Sequence, residues 1–106
     1  MDKNYWNRCI ARSDVIKAMS HPTRLMIIEQ LSKGELCVGE LTGMAGADTS
    51  TVSKHLTVLK NAGIIGDDKR GQMVFYRLKT PCVIKFLSCI ESVLNARAQA
   101  HAALVA

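Results

Sequence analysis

A chain of 106 residues suits one compact domain with a modest core, and a domain this small often completes its burial by pairing with a second copy. The formal net charge of +5, doubled in a symmetric dimer, is suited to a polyanionic partner. Met1 to Arg8 has no apolar signal core and no run approaches membrane-spanning length, which predicts a cytoplasmic protein without a membrane partner. In that compartment the four cysteines read as thiols, metal ligands or redox switches and not as a disulfide framework.

The first predicted helix runs from about Tyr5 to Met19, with Trp6, Ile10, Ile16 and Met19 as its large apolar residues and Ser13-Asp14 as a place where it could restart. Ser20-His21-Pro22-Thr23 then punctuates the chain, because proline is tolerated in the first turn of a helix and not in its interior. A second helix follows through Leu25, Ile28 and Leu31 and closes at Ser32-Lys33-Gly34. Leu36 to Val38 reads as a brief extended stretch, and Gly39 to Ala45 as a short helix expected to bury Leu41 and Met44.

After a turn at Gly46-Ala47 comes the most informative segment. Val52, Leu56 and Leu59 recur at helical spacing, while the other face carries hydroxyls, Lys54 and His55. Asp48 or Thr49 can cap the start, and Gly63 stands where helices commonly exit through a left-handed residue. Ordinary amphipathic surface helices carry carboxylates, and from Thr49 to Gly63 there is none; carboxylates would repel phosphates. Two short helices joined by a tight glycine-containing turn form a helix-turn-helix. Period-two patterning from Ile64 to Leu78 then predicts a hairpin with Asp67 to Gly71 as a charged tip, a wing whose Lys69 and Arg70 can reach phosphates or the minor groove.

Thr80-Pro81 opens the last helix. Its apolar residues, Cys82, Val83, Phe86, Leu87, Cys89, Ile90, Val93 and Leu94, span an arc of about 160°, too wide for one partner surface. Part of that arc is expected to pack on its own domain and part on a second subunit, together with the first helix. Ala96 to Ala106 either frays or extends the helix.

The fold class that follows is mainly α with a small β-hairpin: a winged helix-turn-helix of five helices and a wing, dimeric through the first and last helices. Within the single domain 1–106, the recognition helix spans about 48–63, the wing about 64–79, and the dimerisation helices about 5–19 and 82–98.

The ordered motifs His21-Pro22-Thr23-Arg24-Leu25, Glu35-Leu36-Cys37-Val38-Gly39-Glu40-Leu41, Ser50 to Leu56 with Leu59 and Ala62-Gly63, and Val74-Phe75-Tyr76-Arg77-Leu78 resemble the ArsR/SmtB family of bacterial winged-helix repressors, over about residues 10 to 95. The resemblance implies a homodimer that binds a palindromic double-stranded operator and releases it when a toxic metal, metalloid or oxidant engages its thiols or imidazoles. It places Thr49, Ser50, Thr51, Ser53, Lys54 and His55 toward the major groove or its phosphates, with Lys69 and Arg70 on the wing. His55 has an equally weighted role as a contact inside the subunit, and Arg24 reads as a structural salt-bridge partner.

The inducer is less defined. Where the family's arsenite and cadmium sensors have Cys-Val-Cys-Asp-Leu, this chain has Cys37-Val38-Gly39-Glu40-Leu41, so one thiol of the pair is gone. The Asp-x-His with a later His-x-x-Glu of zinc and nickel sensors is also missing, and Glu91 and His101 do not reproduce it. Trivalent arsenic takes three thiolates and soft ions three or four. Cys82 and Cys89 lie about 10.5 Å apart along an ideal helix, too far to share an ion. Two constellations remain open: Cys9 with Cys82 and Cys89 at the dimer interface, or Cys37 with Cys9 of the other subunit. Cys89 and Cys37 also fit as small buried hydrophobes.

The expected function is therefore repression relieved by arsenite or another soft metal at Cys9, Cys37, Cys82 and Cys89 or a subset, with no cofactor required for folding. Thiol-based sensing of oxidants or sulfur species on the same fold is the alternative. A thiol enzyme is a reading from another class, but the chain has no Cys-x-x-Cys, no nucleophile with an evident base and no phosphate loop, and it is read as not an enzyme. A purely architectural DNA-binding protein would leave the four thiols without a use.

Overall fold

The computed structural model describes residues 1–105 and contains five helices and a three-stranded antiparallel sheet. In chain order these are α1 (Lys3–Met19), α2 (Pro22–Leu31), β1 (Leu36–Cys37), α3 (Val38–Ala45), α4 (Thr49–Asn61), β2 (Ile65–Arg70), β3 (Met73–Leu78) and α5 (Val83–Val105). Local chemistry sets most of the boundaries. The Asp2 carboxylate accepts from the Asn4 N–H to start α1, His21 caps α2 ahead of Pro22, and Asp48 accepts from the Thr51 N–H at 2.7 Å to start α4. Gly46 ends α3 in the left-handed region at φ 65°, a conformation that side chains with a Cβ disfavour. Ser13 does not restart α1; its hydroxyl donates back to the Ile10 carbonyl within a continuous helix.

The sheet order is β1-β3-β2, with Leu36 opposite Tyr76 and Cys37 opposite Phe75 on one side of β3, and Ile65 opposite Leu78 through Arg70 opposite Met73 on the other. The brief strand thus pairs with the second wing strand. The wing tip differs from the expected one. Asp67, Asp68, Lys69 and Arg70 lie on β2 itself, and the turn is Gly71-Gln72, with Gly71 at φ 65° in the first central position that a two-residue hairpin reserves for glycine.

The core is assembled from Met19, Ile27, Ile28, Leu31, Leu41, Val52, Leu56, Leu59, Ile64 and Ile65, which joins α1 to α4 and the base of the wing. Met44, expected to be buried beside Leu41, is 51 % exposed: the eight-residue α3 turns one narrow stripe inward, and Leu41 fills it. The two terminal helices join this core only in part: α1 through Ala18 and Met19 at its end, and α5 through the partly buried Val83, Ile84 and Leu87. None of the residues of α5 is buried in the single chain, and the Cα radius of gyration is 16.8 Å, against about 13 Å for a compact chain of this length. Among the described residues, no helix is long and apolar enough to cross a membrane.

Candidate nucleic-acid interface

On α4, Val52, Leu56 and Leu59 are buried, which turns Thr49, Ser50, Thr51 and Lys54 into solvent and leaves Ser53 and His55 half-buried at the edge. The first turn is pre-organised. Asp48 accepts from the Thr51 N–H and from the Ser50 hydroxyl at 3.0 Å, and these bonds, Thr51 first, hold its carboxyl below the ordinary carboxylate range. Ser50 therefore presents its hydroxyl oxygen as an acceptor while its proton is engaged. Lys54 and Lys69 are exposed and belong to none of the ion pairs found among the described residues.

The other cations of this face are tied. Lys60, at the end of α4, is 2.9 Å from Asp67 on β2, and that hydrogen bond and charge raise the lysine's pKa. Exposed pairs of this kind contribute about 0–1 kcal/mol, so the contact orients the wing more than it stabilises the fold. Arg70 sits between Glu35 at 2.7 Å and Asp68 at 3.0 Å and lies over the Phe75 ring, 4.8 Å from its centroid. The hydrogen bonds to Asp68 and then Glu35 fix its charge, and its pKa rises further. A wing cation that reads as free in the sequence is thus clasped by two carboxylates.

His55 turns toward its own subunit. Its Nδ1 accepts from the Arg24 Nε–H at 3.1 Å, its ring lies against His21 at a centroid distance of 4.3 Å and an interplanar tilt of 39°, and Arg24 also donates through Nη1 to the Ala18 carbonyl at 3.0 Å. Arg24 is structural, as the sequence suggests, but its partners are an imidazole and a carbonyl and not a carboxylate. Burial lowers the His55 pKa below the usual histidine value, with His21 and the Arg24 guanidinium adding to the effect.

The four cysteines are all free thiols: Cys37 is buried, Cys9 half-buried, and Cys82 and Cys89 exposed. The expectation that Cys89 is a small buried hydrophobe does not hold in the single chain. Cys37 is indeed part of the short strand. Its N–H donates to the Glu40 carboxylate at 3.1 Å, closing the first turn of α3, and this bond, with the Cys37 side chain second, lowers the Glu40 pKa. Cys82 lines an open groove of about 420 Å³ between α1 and α5, with Arg12, Val15, Ile16, Met19, Val83 and Phe86. Cys9 stands one turn before Arg12 on the same helix. Among the described residues, no group of three or more His, Cys, Asp or Glu is gathered to hold a metal within one chain.

This geometry has counterparts of known role. The model of the bacterial regulatory proteins of the arsR family matches residues 21–66, from the cap of α2 into β2. The transcriptional repressor SdpR of Bacillus subtilis is 35% identical over 83 residues, which cover 78% of this chain and 92% of that one. This chain belongs to the ArsR family. The cadmium resistance transcriptional regulatory protein CadC homolog of Staphylococcus aureus is 45% identical over 65 residues, 60% of this chain and 54% of its own length. For the fold, a homodimeric winged helix-turn-helix DNA-binding domain from Mycobacterium bovis superimposes with a TM-score of 0.78 at 23% identity, covering 95% of this chain and 94% of that one. The chain is thus a winged helix-turn-helix protein of the ArsR/SmtB type, whose relatives are transcriptional repressors.

Proposed function

We propose that this protein is a homodimeric repressor that holds a palindromic operator through α4 and the wing, and releases it when arsenite or another thiophilic metal binds cysteine thiolates. The observation that carries the DNA-binding half is α4 itself: an exposed, carboxylate-free face of Thr49, Ser50, Thr51 and Lys54 on a helix fixed by its buried Val52, Leu56 and Leu59. In this reading Lys54 and Lys69 neutralise phosphates, and Thr49, Ser50, Thr51 and Ser53 contact backbone and base edges. His55 acts from within the subunit, and Arg70 reaches DNA by exchanging Glu35 and Asp68 for phosphate. The homodimeric neighbour and the unburied α5 support the dimer; the cadmium-resistance regulator among the relatives supports a metal-responsive site.

Lys54→Ala should weaken binding to an operator duplex with circular dichroism unchanged, and should reduce the slope of log affinity against log salt by about 0.9. An unchanged affinity and slope would remove α4 from the interface.

For the inducer, three thiolates must come from different segments or different subunits, since one chain gathers no such set among the described residues. The groove that holds Cys82 beside α1 favours Cys9, Cys82 and Cys89 over the set built on Cys37, whose position in β1 and at the start of α3 is already structural. Under reducing conditions, Cys9→Ser or Cys82→Ser should abolish arsenite-driven release from DNA, and Cys37→Ser should retain it. Retained release in all four single serine variants excludes a thiol site. Release by oxidant and never by metal assigns the thiols to redox sensing.

A further inference from the structure

One directional contact ties α4 to the helices it packs on, and the functional reading leaves it unused. Val52, Leu56 and Leu59 set the depth of α4 in the core, but apolar contacts are not directional. Among the described residues, the Arg24–His55 bond is the one side-chain hydrogen bond that joins α4 to α1 or α2, and it does both, because Arg24 also holds the Ala18 carbonyl at the end of α1. His55 is next to Lys54 and one turn after Thr51, so turning this ring turns the exposed face.

The contact requires a particular protonation state. His55 accepts at Nδ1 from Arg24, and His21 accepts at Nδ1 from the Thr23 N–H at 3.0 Å as the cap of α2. Each ring must therefore keep a lone pair at Nδ1 and carry its proton at Nε2. We propose that Arg24 and His21 are positioning residues for the recognition helix, acting through His55, and that they hold it in its DNA-binding orientation only while the His55 imidazole is neutral, so that specific operator affinity falls on acidification.

A proton on Nδ1 of His55 replaces an acceptor with a donor facing the Arg24 donor, and puts a cation against a guanidinium and the neighbouring His21 imidazole. The groups acting on His55 are His21 and Arg24, both from the start of α2; α1 contributes only the Ala18 carbonyl through Arg24, and α4 itself contributes no titratable partner. Among these groups there is no carboxylate to accept the new charge. The folded state thus favours the neutral ring, in line with the depressed pKa of His55. Its contribution is complete above the ordinary histidine value of about 6.5 and is lost as pH falls through the lower folded value. Simple charge addition gives the opposite sign, because protonated histidines beside DNA strengthen binding.

The inference rests on the DNA-binding reading, and the experiment separates the two. A duplex enriched by the full chain from a random-sequence library at pH 7.5 is the specific probe, and a scrambled duplex of equal length is the reference, both at constant ionic strength. Between pH 7.5 and 5.5, affinity for the enriched duplex should fall severalfold, below the roughly tenfold ceiling that one unshifted histidine sets, while affinity for the scrambled one holds or rises. His55→Asn, whose Oδ1 can still accept from Arg24 but cannot titrate, should show no such fall, whatever its affinity at pH 7.5. Nitrogen-15 NMR at pH 8 should find His55 as the Nε2–H tautomer. Specific affinity that is flat or rises on acidification, the same fall in His55→Asn, or an Nδ1–H tautomer overturns the proposal. Failure to enrich any duplex at pH 7.5 overturns the DNA-binding reading instead.

Discussion

Ile90→Glu is expected to leave the protein monomeric at micromolar concentration and to reduce operator affinity at least a hundredfold. In the single chain Phe86, Ile90, Val93 and Leu94 of α5 are 42%, 43%, 53% and 47% exposed, and Trp6, Ile10 and Ile16 of α1 are 53%, 45% and 50% exposed. Where the two helices meet, Phe86 and Ile90 share an apolar groove with Ile16, Met19, Leu25 and Leu87. Fully covering an exposed side chain of this kind is worth about 1.5–3 kcal/mol, and these are already about half covered, so it is the whole face, contributed twice by symmetry, that outweighs the cost of association. A carboxylate in the middle of that surface must be desolvated on association, at a cost of several kcal/mol when unpaired. Once the subunits separate, each half-site is bound alone, and the avidity of about 10²–10⁴ that linkage supplies is lost. Sedimentation velocity and fluorescence anisotropy on a two-half-site duplex check both parts. A stable wild-type monomer, or an Ile90→Glu dimer of unchanged affinity, would overturn the assignment of this face.

What the sequence made legible follows the range of the interactions involved. Caps and turns are decided within a few residues, so Asp48, Gly46, Gly63 and the punctuation at His21-Pro22 could be read directly. The three buried positions of α4 were equally plain, because one solvent-facing side leaves a period in the sequence, whereas burial along the wing strands falls off toward the tip and does not alternate. Side-chain partners distant in the chain left no such trace. The Arg24–His55 bond spans 31 residues, and nothing near Arg24 distinguishes an imidazole partner from a carboxylate. Glu35, which clasps Arg70, lies in the loop before β1 and reads as an ordinary surface charge. Met44 shows the limit of periodicity on a short element: in eight residues of α3, spacing does not fix how wide the buried stripe is. The thiols show a different limit, since their spacing along the chain says nothing about a site that two subunits would share.

The core beneath the recognition helix gives the other large effect. Leu56 is 1% exposed, on the inner face of α4 between Val52 and Leu59, within the cluster that holds Ile27, Ile28 and Leu31 of α2. Truncation to alanine removes the buried atoms and leaves a cavity that these β-branched and leucine neighbours cannot fully close. Leu56→Ala should therefore cost about 2–5 kcal/mol, a large share of the roughly 5–15 kcal/mol typical of a domain. Val58 supplies the comparison on the same helix, because it is 37% exposed and its removal empties no part of the core. Val58→Ala should change stability by no more than about 0.5 kcal/mol. Both are read from urea unfolding at one fixed protomer concentration, since a dimer's midpoint moves with concentration. Comparable losses in the two variants would mean that α4 is not anchored through Val52, Leu56 and Leu59, and that the orientation of its exposed face has another origin.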